Sequence, residues 1–248
     1  MILIGDSHAH GMNRAFRLLS EEDKTAFEKK YGKFQAAMLM PARFFTTTKY
    51  FSIKENKIYF DKTNRAYKNF TENTGKSAIE KNDENNYLFS IGFHNVMLIL
   101  REKWSKLTIN KSAGKSTGKQ FITSRTFIEM VRYFNRYNFM FFENLQEFSV
   151  DFKVLASPPP QKTFYYDYCE EHLTLKNHLT LDEYLDVTLT YRDIYMDELK
   201  TRGIEFVEPL SETIDGGFLL DEFSSGKEKD FHTNDKYREK LLLKLLNM

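Results

Sequence analysis

The sequence predicts an α/β fold built on a central parallel sheet, and three observations predict it. Short apolar runs recur along the chain, at Ile2 to Ile4, Gln35 to Met40, Tyr87 to Ile91, Phe152 to Ser157 and Ile204 to Val207. Stretches with helical spacing or helix caps lie between them, at Ala9 to Leu19, Ser20 to Lys30, Phe121 to Phe148 and Thr180 to Arg202. Short apolar strands alternating with helices specify a sheet covered on both faces, a three-layer α/β/α sandwich. The third observation is size: 248 residues with 41% apolar content suit one large domain over 1–248, with insertions around 42–86 and 103–120.

Taken in order, each element has a local cause. Ile2-Leu3-Ile4 reads as a buried strand, Gly5-Asp6-Ser7 as a tight turn, and Ala9 to Leu19 as a helix with Met12, Phe16 and Leu19 on its apolar side. Ser20 followed by Glu21, Glu22 and Asp23 is a helix cap with charges that suit the dipole. Phe44 to Phe51 and Lys57 to Asp61 alternate around Glu55-Asn56, which predicts a small antiparallel hairpin added to the main sheet. Residues 62–86 are polar and read as a loop-rich or weakly helical excursion. Val96 to Arg101 continues as an apolar segment, and Lys103 to Gln120 reads as an exposed basic loop. Pro158-Pro159-Pro160 ends a strand, because proline cannot continue a ladder. Gln161 to Leu179 reads as an aromatic, acidic loop, Gly203 stops the long helix, and Asn234 or Asp235 opens a terminal helix.

Composition narrows the function classes. Thirty-six Lys plus Arg against 35 Asp plus Glu leave a net charge of +1, which gives no footing for nucleic acid or an anionic membrane as main partner. No window approaches the roughly 20 apolar residues of a membrane helix. Cys169 is the single cysteine, so no internal disulfide can form. With no leader pattern at the start, the expectation is a cytoplasmic protein. The 23 Phe and 14 Tyr fill a core or, for some, line a carbohydrate or acyl groove.

Chemistry concentrates in three stretches. A strand turning sharply into a helix places Ser7 at the carboxyl edge of the sheet, where open α/β folds bind ligands, and beside a helix N-terminus that favours negative charge. An ordinary β-to-α turn with Asp6 or Ser7 as cap is the structural alternative. Gly92-Phe93-His94-Asn95 follows another strand, and Asp230-Phe231-His232-Thr233-Asn234 precedes the terminal helix.

Gly-Asp-Ser at the end of the first strand resembles the nucleophile motif of the SGNH (GDSL-like) hydrolase superfamily. Gly5 to Ala9, Gly-Asp-Ser-His-Ala, is similar to the form found in SGNH domains of surface-polysaccharide acylation. The resemblance implies a flavodoxin-like sandwich with Ser7 as nucleophile and His232 as base. Asp230 would be the orienting carboxylate, although it stands two residues before the histidine where the family has three. Glu228 as substitute, or a Ser-His dyad, are the alternatives. Asn95, with Gly92 in its Gly-x-x-Asn element, resembles the oxyanion donor, together with the backbone N–H of Ser7. Asp6, His8 and His94 would line the pocket. The glycine that completes the oxyanion hole has no clear counterpart.

The remaining motifs are poorer. Gly114 to Lys119 lacks the earlier glycine of a phosphate loop and reads as a basic loop flanking the pocket. Asp6, His8 and His10 lack the further spaced ligands of a metal site, so neither metal nor cofactor is expected. Three functions follow: an esterase or deacylase acting on O-acyl esters of a carbohydrate, an O-acyltransferase with the same residues, and a non-catalytic carbohydrate-binding protein. The partner is a small-molecule or glycan ester; no oligomeric state is specified.

Overall fold

The computed structural model describes residues 1–5, 9, 11–38, 49–61, 65–102, 106–110, 118–166, 180–227, 230 and 232–248. Its centre is a sheet of five parallel strands: β1 (Ile2–Gly5), β2 (Gln35–Met38), β6 (Tyr87–Ser90), β9 (Phe152–Leu155) and β10 (Phe206–Val207). Their order across the sheet is β10-β9-β6-β1-β2. Counting only these five in chain order, that is the doubly wound 2-1-3-4-5 arrangement. The chain reverses direction across the sheet between β1 and β6, and the register pairs Gly5 with Ser90 at their carboxyl ends.

The two-residue period of the strands divides the interior. Ile2, Ile4, Tyr87, Phe89 and Val154 face one core; Leu3, Leu88 and Leu155 face the other. The second core is closed by α1 (Met12–Leu18), α2 (Glu21–Tyr31) and α7 (Asp235–Asn247). The first is closed by α4 (Val96–Glu102), α5 (Ser124–Glu147) and α6 (Leu181–Thr201), with α3 (Arg65–Thr74) adding Phe70. Side chains cap the helix starts: Ser20 and Thr180, where the sequence predicts them, and Thr123 and Asn234, which the structure selects over Ser124 and Asp235, each accept a backbone N–H three residues on. The first core is largely aromatic. Phe141 packs on Phe89 at 5.1 Å and on Tyr50 at 5.6 Å, and Phe142 stacks on Phe152 at 5.6 Å.

Several expectations need correction. The first helix starts at Met12, not Ala9, because Gly11 takes a φ of 90°, which no right-handed helix contains. The hairpin, β3 (Phe51–Lys54) and β4 (Lys57–Phe60), turns at Glu55-Asn56 with φ of 53° and 59°. It does not extend the main sheet; it pairs with β5 (Ile79–Glu80) in a separate three-stranded sheet. The polar excursion therefore holds a helix and a strand. Residues 103–120 are not simply an exposed loop. β7 (Leu107–Thr108) pairs with β8 (Gln120–Phe121), Thr108 is buried, and the Lys119 ammonium makes a buried ion pair with Glu183 at 2.7 Å. Gln161 to Leu179 begins with a helical turn, Lys162–Phe164. Beyond the last parallel strand, a short antiparallel hairpin forms, β11 (Ile214–Asp215) with β12 (Phe218–Leu219). Residues 111–117 and 167–179, with Cys169 and most of the Gly114 to Lys119 motif, lie outside the described residues. No helix among the described residues is long and apolar enough to cross a membrane.

Candidate active site at the carboxyl edge of the sheet

The carboxyl ends of β1 and β6 are held unusually close. A Cβ on Gly5 would lie 2.8 Å from both Cβ and O of Ser90, so only glycine allows this approach. Asp6, Ser7, His8 and His10 lie outside the described residues. Their flanks do not: Gly5 ends β1, and Ala9 is buried beside it.

After β6 the chain makes a tight turn through Phe93–Asn95. Gly92 has a φ of 94°, and a Cβ there would overlap the Tyr195 hydroxyl at 2.2 Å. Two tyrosines of α6 hold this turn: Tyr191 donates to the carbonyl of Gly92 at 2.7 Å and Tyr195 to that of Ile91 at 3.2 Å. Asn95 is buried, and its amide donates to Asn135 Oδ1 at 2.8 Å. Asn138 donates to the same oxygen at 3.1 Å, while Asn135 donates to the Tyr191 hydroxyl at 2.6 Å. A buried network of this kind fixes a single arrangement, because each group left unmatched is costly. Asn95 is thus anchored beneath the edge, with one amide N–H committed to the core. His94 lies in the same turn.

The loop before α7 carries the histidine. Asp230 Oδ1 accepts the backbone N–H of His232 at 3.0 Å and also contacts Nδ1 of its ring. The two-residue spacing makes this double grip possible, since backbone and ring of one residue reach one oxygen. Burial pushes the Asp230 carboxyl up, but hydrogen bonds from the His232 backbone, its ring and the Ser225 hydroxyl outweigh it and hold the group below its usual range. The pair is partly open to solvent, at 22% and 27% exposure.

The loop is braced on several sides. Ser225 N–H donates to the His232 carbonyl at 2.9 Å, and Gln161 Nε2 donates to the same oxygen at 3.2 Å. Gln161 Oε1 in turn accepts the Ser224 hydroxyl at 2.8 Å. At the start of α7, Asp235 accepts from Arg14 of α1 at 2.8 Å and from Arg238 at 2.9 Å. This pins α1 beside the histidine loop. Between them opens a cleft of about 520 Å³, with Gly11, Asn13 and Arg14 on one side and Ser225, Asp230 and His232 on the other.

The structure brings Asp230 and His232 together and places them across a cleft from the start of α1. Asn95 and Gly92 sit at the end of the neighbouring strand. Sequence reasoning overlooked Asn135, Asn138 and Tyr191. A signal existed for the asparagines: they fall on the same buried face of α5 as Phe127, Val131 and Phe142, a face otherwise apolar. Among the described residues no group of three or more His, Cys, Asp or Glu could hold a metal ion.

No family model matches the chain, and no curated protein matches it. Among solved structures, it is similar to the crystal structure of an acetyl xylan esterase, AlAXEase, at 11% identity and a TM-score of 0.43, over 100% of this chain and 98% of that one.

Proposed function

We propose that this chain is a serine-dependent ester hydrolase acting on O-acyl esters of a carbohydrate, with Ser7 as nucleophile and His232 as base. One observation carries the reading. The Asp230–His232 pair lies across a cleft from the start of α1, the helix entered directly from the Gly5 to Ala9 motif. The reversal point between β1 and β6, beside which doubly wound folds bind ligands, supports it.

The chemistry follows from the groups. A serine hydroxyl is a weak nucleophile until a base takes its proton. Asp230 engages Nδ1 of His232, so Nε2 is the nitrogen that acts on Ser7, and the carboxylate stabilises the imidazolium that forms. Attack on the ester carbonyl gives a tetrahedral oxyanion. The backbone N–H of Ser7 and the second amide N–H of Asn95 are its donors, and Gly92 gives Asn95 its place. His232 then protonates the departing sugar oxygen, leaving an acyl-serine. Water, deprotonated by His232, attacks that ester, and the imidazolium returns the proton to the Ser7 oxygen as the acid departs. Asp6, His8 and His94 belong to the pocket wall in this scheme.

The test is labelling by a fluorophosphonate together with acetate release from an acetylated glycan. Ser7 is expected to be modified, and Ser7→Ala is expected to lose both label and activity while keeping its fold. A folded wild-type protein that neither labels nor releases acetate overturns the reading. The Gly-Asp-Ser-His-Ala variant favours a second outcome, in which acyl transfer appears only when an acceptor sugar is supplied.

A further inference from the structure

The Pro158 to Gln161 stretch that follows β9 walls a second, smaller cavity, of about 40 Å³, separate from the cleft described above. Phe93, Pro158, Phe164 and Tyr184 contribute to its apolar lining, and Arg192 and Thr188 of α6, with Ser157 and Gln161, are the polar residues on its wall. Arg192 is only 7% exposed. Among the described residues no ion pair and no side-chain hydrogen bond engages its guanidinium. The carboxylates whose field reaches it, on Asp193 and Glu208, do not pair with it. Burial lowers its pKa from the ordinary arginine value, yet a guanidinium remains a cation at neutral pH.

Buried charges in proteins are as a rule paired or coordinated, since an isolated one forfeits its hydration. A guanidinium offers a planar fork of N–H donors that matches a carboxylate with two parallel bonds, and apolar walls strengthen such a pair. One water needs roughly 10–15 Å³ of such space, so the cavity holds about three waters, the size of a carboxylate group. Its position also fits a role beside the cleft. Gln161 lines the cavity and also donates to the carbonyl of His232, which lines the cleft, so a single hydrogen bond links the two spaces.

We propose that this cavity is a carboxylate-binding subsite, in which Arg192 receives a carboxylate carried by the substrate. The carboxylate belongs either to a uronic acid of the glycan or to the free end of a dicarboxylic acyl group. The word substrate rests on the hydrolase reading above; the binding itself does not, and it is measured without turnover.

The experiment is saturation-transfer NMR on the full chain with glucuronate and succinate, each against its neutral counterpart, glucose and succinamide. Saturable binding of at least one carboxylate is expected, with no binding of its neutral counterpart, and the tighter of the two names the source. Arg192→Gln is expected to weaken binding at least tenfold. Thr188→Leu fills the cavity and leaves Arg192 in place; Thr188 also lines the cavity, and its hydroxyl bonds only its own helix, at Tyr184 O. It is expected to abolish binding, and it decides the matter if Arg192→Gln does not fold. Absence of carboxylate binding to the wild type, or undiminished binding in folded Arg192→Gln or Thr188→Leu, overturns the proposal. Ester hydrolysis, present or absent, leaves these outcomes unchanged.

Discussion

Replacing Asp230 by Asn tests the histidine loop most directly. The side chain keeps its shape, and its Oδ1 can still accept the N–H of His232, now held at 3.0 Å. What is lost is the negative charge facing Nδ1 of the ring. A hydrogen bond to a charged group contributes about 1.5–3 kcal/mol, against about 0.5–1.5 kcal/mol for a neutral one. If the charge of Asp230 serves mainly to stabilise the imidazolium, losing all of that stabilisation raises the barrier by up to ~3 kcal/mol. At 1.36 kcal/mol per decade, kcat falls roughly 10- to 150-fold. The amide can also turn its NH2 toward the ring and select the wrong tautomer, which deepens the loss. KM is expected to change little, because the carboxylate acts on the base rather than on the ester. The assay is hydrolysis of p-nitrophenyl acetate, with thermal melts to confirm that the variant folds. Asp230→Asn at more than a third of wild-type kcat would refute the triad geometry and leave His232 acting alone.

Other outcomes follow from the same structure. Asn135→Leu strips partners from Asn95, Asn138 and Tyr191 at once. With about 1–3 kcal/mol for each buried polar group left unmatched, a loss of at least about 3 kcal/mol is expected in urea unfolding; a loss below about 1 kcal/mol would show the network to be slack. Gly92→Ala forces a side chain into a φ of 94° and into the Tyr195 hydroxyl, so it is expected to destabilise by about 2 kcal/mol or more, read from the thermal midpoint. Acid sensitivity has a defined sign. Burial pushes Asp83 up, but hydrogen bonds from Lys76, Asn85 and Tyr87 outweigh it, and Asp83, Asp230, Glu198 and Asp235 all sit below their ordinary values. The unfolded chain then binds more protons, so this stability is present above about pH 4–5 and lost as pH falls through the lowered folded values. Asp83→Asn is expected to flatten urea midpoints measured from pH 6 down to pH 2; an unchanged slope would remove Asp83 from that account.

Much of the fold was legible because its determinants are local. The short apolar strands, the caps at Ser20 and Thr180, and the proline stop after β9 are each set by a few neighbouring residues. The separate sheet formed with β5 was not legible, since Ile79-Glu80 is too short to show a pattern. Nor was the burial of Lys119, whose ion-pair partner stands 64 residues later.

The candidate site divides in the same way. Sequence alone determined where chemistry could sit, because glycine, serine and histidine at strand ends and helix starts are local signals. Only the tertiary structure decided how Gly92, Asn95, Asp230 and His232 are held. The Asn95 amide meets Asn135 across 40 residues, and Asn135 meets Tyr191 across 56. Gln161 reaches His232 across 71, and Arg14 reaches Asp235 across 221. Pairings at such separations leave no periodic trace in the sequence. They arise when a parallel sheet brings the loops after β6 and β9, the start of α1 and the loop before α7 to one edge, where distance along the chain no longer sets distance in space.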